Sequence, residues 1–362
     1  MINRFSRREI LAITAGIGLA SCVENNGFSS PVRRSGVSAQ PVSWTSGVAI
    51  PEPTQEIYPC RHDGAIHLVG GFVAENGQIS GPTFAHYAWR PGDEAWTEAA
   101  PLPSSRHHPQ LISWRGGLFA FAGFESHSTE AIWVMQSSGY RLLGEVFPVE
   151  GRGSSIEPAW YDVSALPVPC GEAVLGVTGD GLLHLAGGRT PRGEANAVWR
   201  DHIDTDHHFV LSDLDEPWQS AAPCLTKRNS AAGDVIAGNL HIVGGRTVDG
   251  GNVATHEVYD HREDRWREAA PMPQAQGGLA AAAVGNKLYV FGGEYFDNGG
   301  GVYPESWVYD TTTDRWESLP DMPHPRHGLG AVALNNEIYA IGGALEPSGV
   351  RTSALVEVLS TG

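Results

Sequence analysis

The chain has 362 residues and a formal net charge of −17, from 24 Lys+Arg against 41 Asp+Glu. That balance excludes general nucleic-acid binding, which needs a basic footprint. Its 45 glycines accompany 11 Trp, 10 Tyr and 11 Phe, an aromatic content that disordered chains lack. The sequence therefore reads as a folded, turn-rich protein, large enough to bury a core without disulfide or metal support.

In chain order, residues 1–21 come first, as an export signal. Ser6-Arg7-Arg8-Glu9-Ile10-Leu11 leads into an apolar run to Ala20 that is too short to span a membrane as a stable helix. The Arg pair in this setting resembles the twin-arginine signal. Leu19-Ala20-Ser21-Cys22 resembles a bacterial lipobox, which implies that Cys22 is lipidated and that the protein is exported and held in the cell envelope. Val23 after the Cys favours the outer membrane, periplasmic side, over the inner. Residues 22–41 read as a flexible tether and residues 42–362 as one folded region. Cys60, Cys170 and Cys224 remain, and in an oxidising compartment one pair can bridge.

From residue 42 onward the chain repeats. A Gly-Gly pair closes an apolar strand at Gly70-Gly71, Gly187-Gly188, Gly244-Gly245, Gly292-Gly293 and Gly342-Gly343, with a degraded copy at Ala122-Gly123. Seventeen residues before each second Gly stand Thr54, Arg106, Gly171, Arg228, Gln276 and Arg326. Ten residues earlier come Trp44, Trp96, Trp218, Trp266 and Trp316; the remaining copy lands on Tyr161, beside Trp160, so a single-residue insertion restores the Trp. Tyr259-Asp260 and Tyr309-Asp310 precede two of these Trp at one offset. Each unit reads as four short antiparallel strands, with the Trp on the fourth. The first strand is made of small residues, as in the run 328–334.

Gly-Gly, Tyr-Asp and Trp in this order resemble the kelch repeat over residues 42–359. The resemblance implies an all-β, six-bladed kelch-type β-propeller with four antiparallel strands per blade. One strand remains after Gly343, around residues 353–359. The last blade is thus expected to be closed by the N-terminal strand carrying Trp44, which removes an open edge. The Trp, Gly and Tyr-Asp residues are framework on this reading.

In a propeller, the loops before strand one and after strand two meet around the axis on one face. The register places Arg106, His107, Glu172, Arg189, Arg228, Arg246, Glu294, Arg326 and His327 at that mouth. Arg106, Arg228 and Arg326 fall on alternate blades as an approximate threefold ring. Gathered cations call for a bound carboxylate, phosphate or sulfate. Insertions at 189–206 and 294–306 add Trp199, Tyr295, Phe296 and Tyr303 to this face, side chains suited to stacking on a sugar. Residues 137–157 are expected as an insertion on the opposite face. Cys170 and Cys224, in loops entering neighbouring blades, are the candidate disulfide. His202, Asp204, Asp206, His207 and His208 form the one metal-like cluster, but neighbouring His207 and His208 point apart on a strand, so no metal or other cofactor is assigned.

The expected role is a monomeric binding module whose Arg-rich funnel takes an anionic or carbohydrate ligand, or an envelope protein, with no nucleic acid and with membrane contact through the lipid alone. One alternative is a structural assembly lipoprotein whose propeller rim docks another envelope protein, and two enzyme families offer others. A resemblance to sialic-acid mutarotases implies a Glu as acid/base, Glu294 or Glu172, and an Arg for the carboxylate, Arg189 or Arg246. A resemblance to galactose oxidase implies copper held by Tyr and His beside a Cys-Tyr crosslink, for which His107, His327, Cys60 and Tyr58 are at hand.

Overall fold

A computed structural model describes residues 42–76, 78–128, 130–147 and 156–362. The export signal, Cys22 and the tether to residue 41 lie outside the described residues.

Six four-stranded antiparallel sheets follow one another along the chain. Blade one contains Cys60–His62, Ala65–Val69, His86–Trp89 and Thr97–Glu98, and blade two Gln110–Trp114, Gly117–Phe121, Gly139–Leu143 and Ala159–Val163. Blade three contains Val174–Val177, Leu183–Ala186, His208–Leu211 and Gln219–Ser220, and blade four Ala232–Ile236, Asn239–Val243, His256–Asp260 and Arg265–Glu268. Blade five contains Gly277–Val284, Lys287–Tyr295, Ser306–Asp310 and Arg315–Leu319. Blade six takes Gly330–Leu334, Glu337–Ile341 and Val356–Ser360 from the C-terminus and Trp44–Ser46 from the other end of the chain, with Trp44 opposite Leu359. The expected strand closure is thus present.

Two rings of hydrogen bonds explain why the repeat spacing is so constant. Each fourth-strand indole N–H donates to the carbonyl four residues beyond the preceding blade's Trp. The bonds are Trp96 to Val48 (3.0 Å), Trp160 to Ala100 (2.8 Å), Trp218 to Ser164 (3.2 Å), Trp266 to Ala222 (2.9 Å), Trp316 to Ala270 (2.7 Å) and Trp44 to Pro320 (3.0 Å). Nearer the axis, the second glycine of each pair donates its N–H to the next blade. Gly71 bonds Arg106, Gly123 bonds Cys170, Gly188 bonds Arg228, Gly245 bonds Gln276, Gly293 bonds Arg326 and Gly343 bonds Thr54. Both rings close across the chain termini. The first glycines need left-handed backbone (Gly70 φ 61°, Gly292 φ 73°). A Cβ on Gly70 would lie 2.4 Å from the Arg106 carbonyl, so close approach excludes side chains there. The degraded copy keeps the conformation at a cost, with Ala122 at φ 59°.

The second ring corrects the register of blade three. Its marker is Cys170, not Gly171, because Cys170 holds the carbonyl that Gly123 reaches. The extra residue sits in the hairpin between Val177 and Leu183, where other blades have two-residue turns, and this also makes Trp160 the true framework Trp. Tyr161 is half exposed. The stretch 137–157 is likewise not a simple insertion, since Gly139–Leu143 is blade two's third strand.

Apolar faces of adjacent blades fill six clusters between them. The Tyr-Asp residues brace turns: the Asp310 carboxylate accepts the Thr312 N–H at 2.8 Å, and Tyr309 donates to Asp314 at 2.7 Å. Three blades also bury a histidine pair, His67 with His86, His184 with His208 and His241 with His256, at 2.9–3.0 Å between ring nitrogens. The second ring of each pair also contacts an alanine carbonyl and packs on the next blade's Trp. Burial first, and in the first ring of each pair the neighbouring histidine next, holds all six down at about 3 to 4, so they are neutral in the core.

Candidate functional site

Three consecutive residues enter every blade, and each position has its own task. Thr54, Arg106, Cys170, Arg228, Gln276 and Arg326 supply the carbonyls of the inner ring. Gln55, His107, Gly171, Asn229, Gly277 and His327 pair, in order, with Phe72, Phe124, Arg189, Arg246, Glu294 and Ala344, the residues that follow the Gly pairs. Glu56, His108, Glu172, Ser230, Gly278 and Gly328 come third, all with positive φ between 49° and 70°. Their backbones form much of the innermost circle: Glu56 N–H donates to Gly328, Gly328 to Gly278, Gly278 to Ser230 and His108 to Glu56.

This assignment removes the expected arginine ring from the funnel. Arg106, Arg228 and Arg326 are buried within their blades. Arg106 bonds Glu125 at 2.7 Å and the Ala122 carbonyl. Arg228 bonds Glu257 at 2.6 Å, and Arg326 bonds Glu357 at 2.6 Å and the Gly342 carbonyl. Each guanidinium satisfies carbonyls near the end of strand two and is neutralised by a carboxylate of its own blade, so none is short of an anion. His107 is also buried, stacked between Phe72 (3.8 Å) and Phe124 (4.9 Å). Cys170 occupies the marker position that arginine fills on alternate blades, and its thiol faces the Gly187 carbonyl. Cys170, Cys224 and Cys60 are free and buried, so the candidate disulfide is absent. Burial pushes all three thiols up to about 12.

Glu172, Arg189, Arg246, Glu294 and His327 do meet, around a cavity of about 860 Å3 on the axis. They are joined there by Glu56, His108, Asn229 and Ser230, and by Phe72, Trp133, Trp199, Phe296 and Tyr303 on the walls. Glu56 and His108 are absent from the mouth expected from the sequence because they stand two residues after the markers Thr54 and Arg106, where a left-handed backbone rather than a repeated residue type turns the side chain to the axis. The available signal was that blades five and six place glycine where blades one to four place Glu, His, Glu and Ser. Non-glycine residues with left-handed backbone cost of order 1–3 kcal/mol each and persist where the surroundings over-determine them.

Hydrogen bonding fixes the charge of the floor. His107 Nε2 lies 3.0 Å from the Ile132 carbonyl, which only an N–H can satisfy, so in the neutral ring Nδ1 is an acceptor. Burial, then the His108 charge, hold His107 neutral, well below its usual range. His108 Nδ1, 2.6 Å away, must therefore donate to it. His108 Nε2 faces the Glu56 carboxylate at 2.7 Å and must donate as well. His108 is thus an imidazolium. Burial opposes this, but Glu56 by charge and hydrogen bond, then Glu172, raise its pKa. Burial also works against the Glu56 anion, and the charge and hydrogen bond of His108, then His327 and Arg246, outweigh it and hold the carboxyl at about 2.

The walls are braced. Glu294 accepts from Arg246 at 2.9 Å and from the Ser348 N–H at 2.9 Å, tying blades four, five and six. Asp204 accepts from Asn229 and from the Val248 N–H. Arg189 is different. Its side chain is 1% exposed, and its Nε and Nη1 have no hydrogen-bond partner among the described residues. The nearest carboxylate oxygen, on Glu172, is 3.9 Å from Nε. Trp199 covers it, with Cζ 3.0 Å from the indole centroid, and Trp133 meets Trp199 edge-on.

The metal-like cluster disperses. His202 bonds Asn196, Asp204 braces the mouth and His208 belongs to a core pair. A copper-tyrosyl centre does not fit either: His107 is committed to Ile132 and His108, and the Cys60 thiol bonds the Arg61 carbonyl inside its strand.

Six closed four-stranded blades with a funnel on the axis define a β-propeller. A family profile, the KLHDC2/KLHL20/DRC7 Kelch-repeats domain, matches residues 164–356, and the chain belongs to the kelch-repeat family. Kelch repeats of this kind form a protein-binding β-propeller module. No curated protein matches the chain.

Proposed function

We propose that this propeller is a binding module whose funnel takes a small, polar, carboxylate-bearing ligand of carbohydrate size. The observation that carries the reading is Arg189, a buried cation with two nitrogens lacking partners among the described residues, facing a cavity of about 860 Å3. A buried donor left unmade costs roughly 1–3 kcal/mol, more when charged, and a carboxylate oxygen recovers that loss. The aromatic walls suit the apolar face of a sugar ring. Titration calorimetry with gluconate, glucuronate and N-acetylneuraminate, against glucose, tests it. Saturable binding of an acid, lost in Arg189→Ala, is expected; no heat from any acid contradicts it.

Binding fits the floor better than catalysis does. A general acid or base works best with a pKa near the working pH, whereas Glu56 stays ionised down to about 2 as the partner of an imidazolium. Arg189 beside Glu172 is the pairing a sialate mutarotase-like enzyme would use, and unchanged anomer exchange by NMR with added protein rejects it.

The location follows from the sequence pattern. We propose export through the twin-arginine-like signal and lipid anchoring at Cys22, as a monomer on the periplasmic side of the outer membrane. Mass spectrometry of the N-terminal peptide tests this: acylated Cys22 is expected, and an unmodified thiol contradicts it.

A further inference from the structure

We infer that the funnel ligand is zwitterionic, carrying an ammonium group as well as the carboxylate. This rests on the reading of Arg189 above and adds a second, oppositely charged contact in the same cavity.

The open hydrogen-bonding positions on the floor have both signs. Arg189 offers Nε and Nη1. Against it stand two carboxylates with one oxygen engaged and one open. Glu56 uses Oε2 on His108, and its Oε1 accepts no hydrogen bond from a described residue, with His327 Nδ1 3.9 Å away. Glu172 uses Oε2 for the Ser230 hydroxyl at 2.7 Å, and its Oε1 accepts no hydrogen bond from a described residue. Glu56 and Glu172 sit on blades one and three, on either side of His108 on blade two. In the other charged pair of the cavity both oxygens of Glu294 and Nη2 of Arg246 are spent on bracing, while Arg246 Nε is unpaired among the described residues.

A simple anion at Arg189 would enter beside Glu172 and leave the second oxygen of Glu172 and of Glu56 without a donor. A ligand that also presents an ammonium gives those open oxygens a cation and three donors. The backbone supports a dedicated floor. Glu56 (φ 58°), His108 (φ 55°), Glu172 (φ 54°) and Ser230 (φ 49°) hold left-handed conformations that glycine holds freely at Gly278 and Gly328. Placing these side chains on the axis carries a conformational cost on four blades. Amino sugar acids and short peptides meet the chemistry and fit the volume.

Matched pairs separate the two contacts: D-glucosaminate against D-gluconate, and muramate against N-acetylmuramate. Each pair keeps the carboxylate and removes the ammonium charge. Calorimetry on the protein at pH 7 is expected to show at least one ammonium-bearing acid binding about tenfold or more tightly than its partner, the scale of one charge-assisted contact. Glu172→Gln should bring the two members together, weakening the ammonium-bearing acid while the simple acid, relieved of a neighbouring negative charge, binds no more weakly than before, with the thermal melt of the variant confirming that it is folded. If both members bind equally, or Glu172→Gln changes neither, the ammonium contact is overturned and the Arg189 reading stands. If glucosamine, which lacks the acid, binds as tightly as glucosaminate, or if none of these acids binds, the Arg189 reading itself falls and takes the inference with it.

Discussion

Replacing Glu56 by Gln keeps the shape of the funnel floor and removes one charge. It leaves the His108 imidazolium, 4% exposed, with no carboxylate at 2.7 Å. The carboxyl sits at about 2 in the fold against 4.5 for the free group, and at 1.36 kcal/mol per unit that corresponds to stabilisation on the order of 3 kcal/mol. Breaking a buried pair from one side costs a comparable 3–5 kcal/mol or so. The sign follows from the direction of each shift. A carboxyl with a lowered folded pKa contributes fully above about 4.5 and loses that contribution as pH falls from there toward about 2. His108, raised in the fold, contributes fully below about 6.5 and loses its contribution as pH rises through the raised value. The pair therefore stabilises most between about pH 4.5 and 6.5. Urea unfolding of the wild type and Glu56→Gln from pH 3 to 9 reads this out. The difference in unfolding free energy should reach roughly 3 kcal/mol in that window and shrink on both sides. A difference that is flat across pH, or below about 0.5 kcal/mol throughout, refutes the imidazolium assignment.

Two further outcomes follow from the framework. The six core histidines are neutral in the fold, with pKa values lowered to about 3 to 4, so their contribution is complete above about 6.5 and lost as pH falls from there toward the folded values. Giving blade four the residues of blade five at the same register, His241→Tyr with His256→Ser after Tyr289 and Ser306, should move the acid-unfolding midpoint to lower pH; an unmoved midpoint by circular dichroism argues against the pairs as the acid-sensitive element. Ala122→Gly should stabilise the fold by about 1 kcal/mol, because it removes a Cβ from left-handed backbone, and a lowered melting temperature contradicts that.

The blade architecture was legible because its constraints recur at fixed offsets. The indole that reaches the preceding blade and the glycine N–H that reaches the next each need one residue type at one place, so Trp and Gly-Gly carry the register. Blade closure was legible for the same reason, since Trp44 had no other sheet to join. The site was only half legible. Arg189, Arg246 and Glu294 follow the Gly pairs, and that position does open on the funnel. Arg106, Arg228 and Arg326 read as the same kind of residue, yet their position points into the blade, and the partners that absorb them, Glu125, Glu257 and Glu357, lie 19 to 31 residues away with no local pattern. Glu56 and His108 were obscured because their conformation, not their spacing, makes them part of the floor. The Cys170–Cys224 pairing failed on a one-residue slip that the hairpin between Val177 and Leu183 absorbs.

The most direct measurement is a crystal structure of the protein soaked with an acid that calorimetry shows to bind. The carboxylate should lie in the funnel with oxygens within about 3 Å of Arg189 Nε and Nη1, beneath Trp199. Density for the acid on another surface, with those two nitrogens still unbonded, would contradict the account.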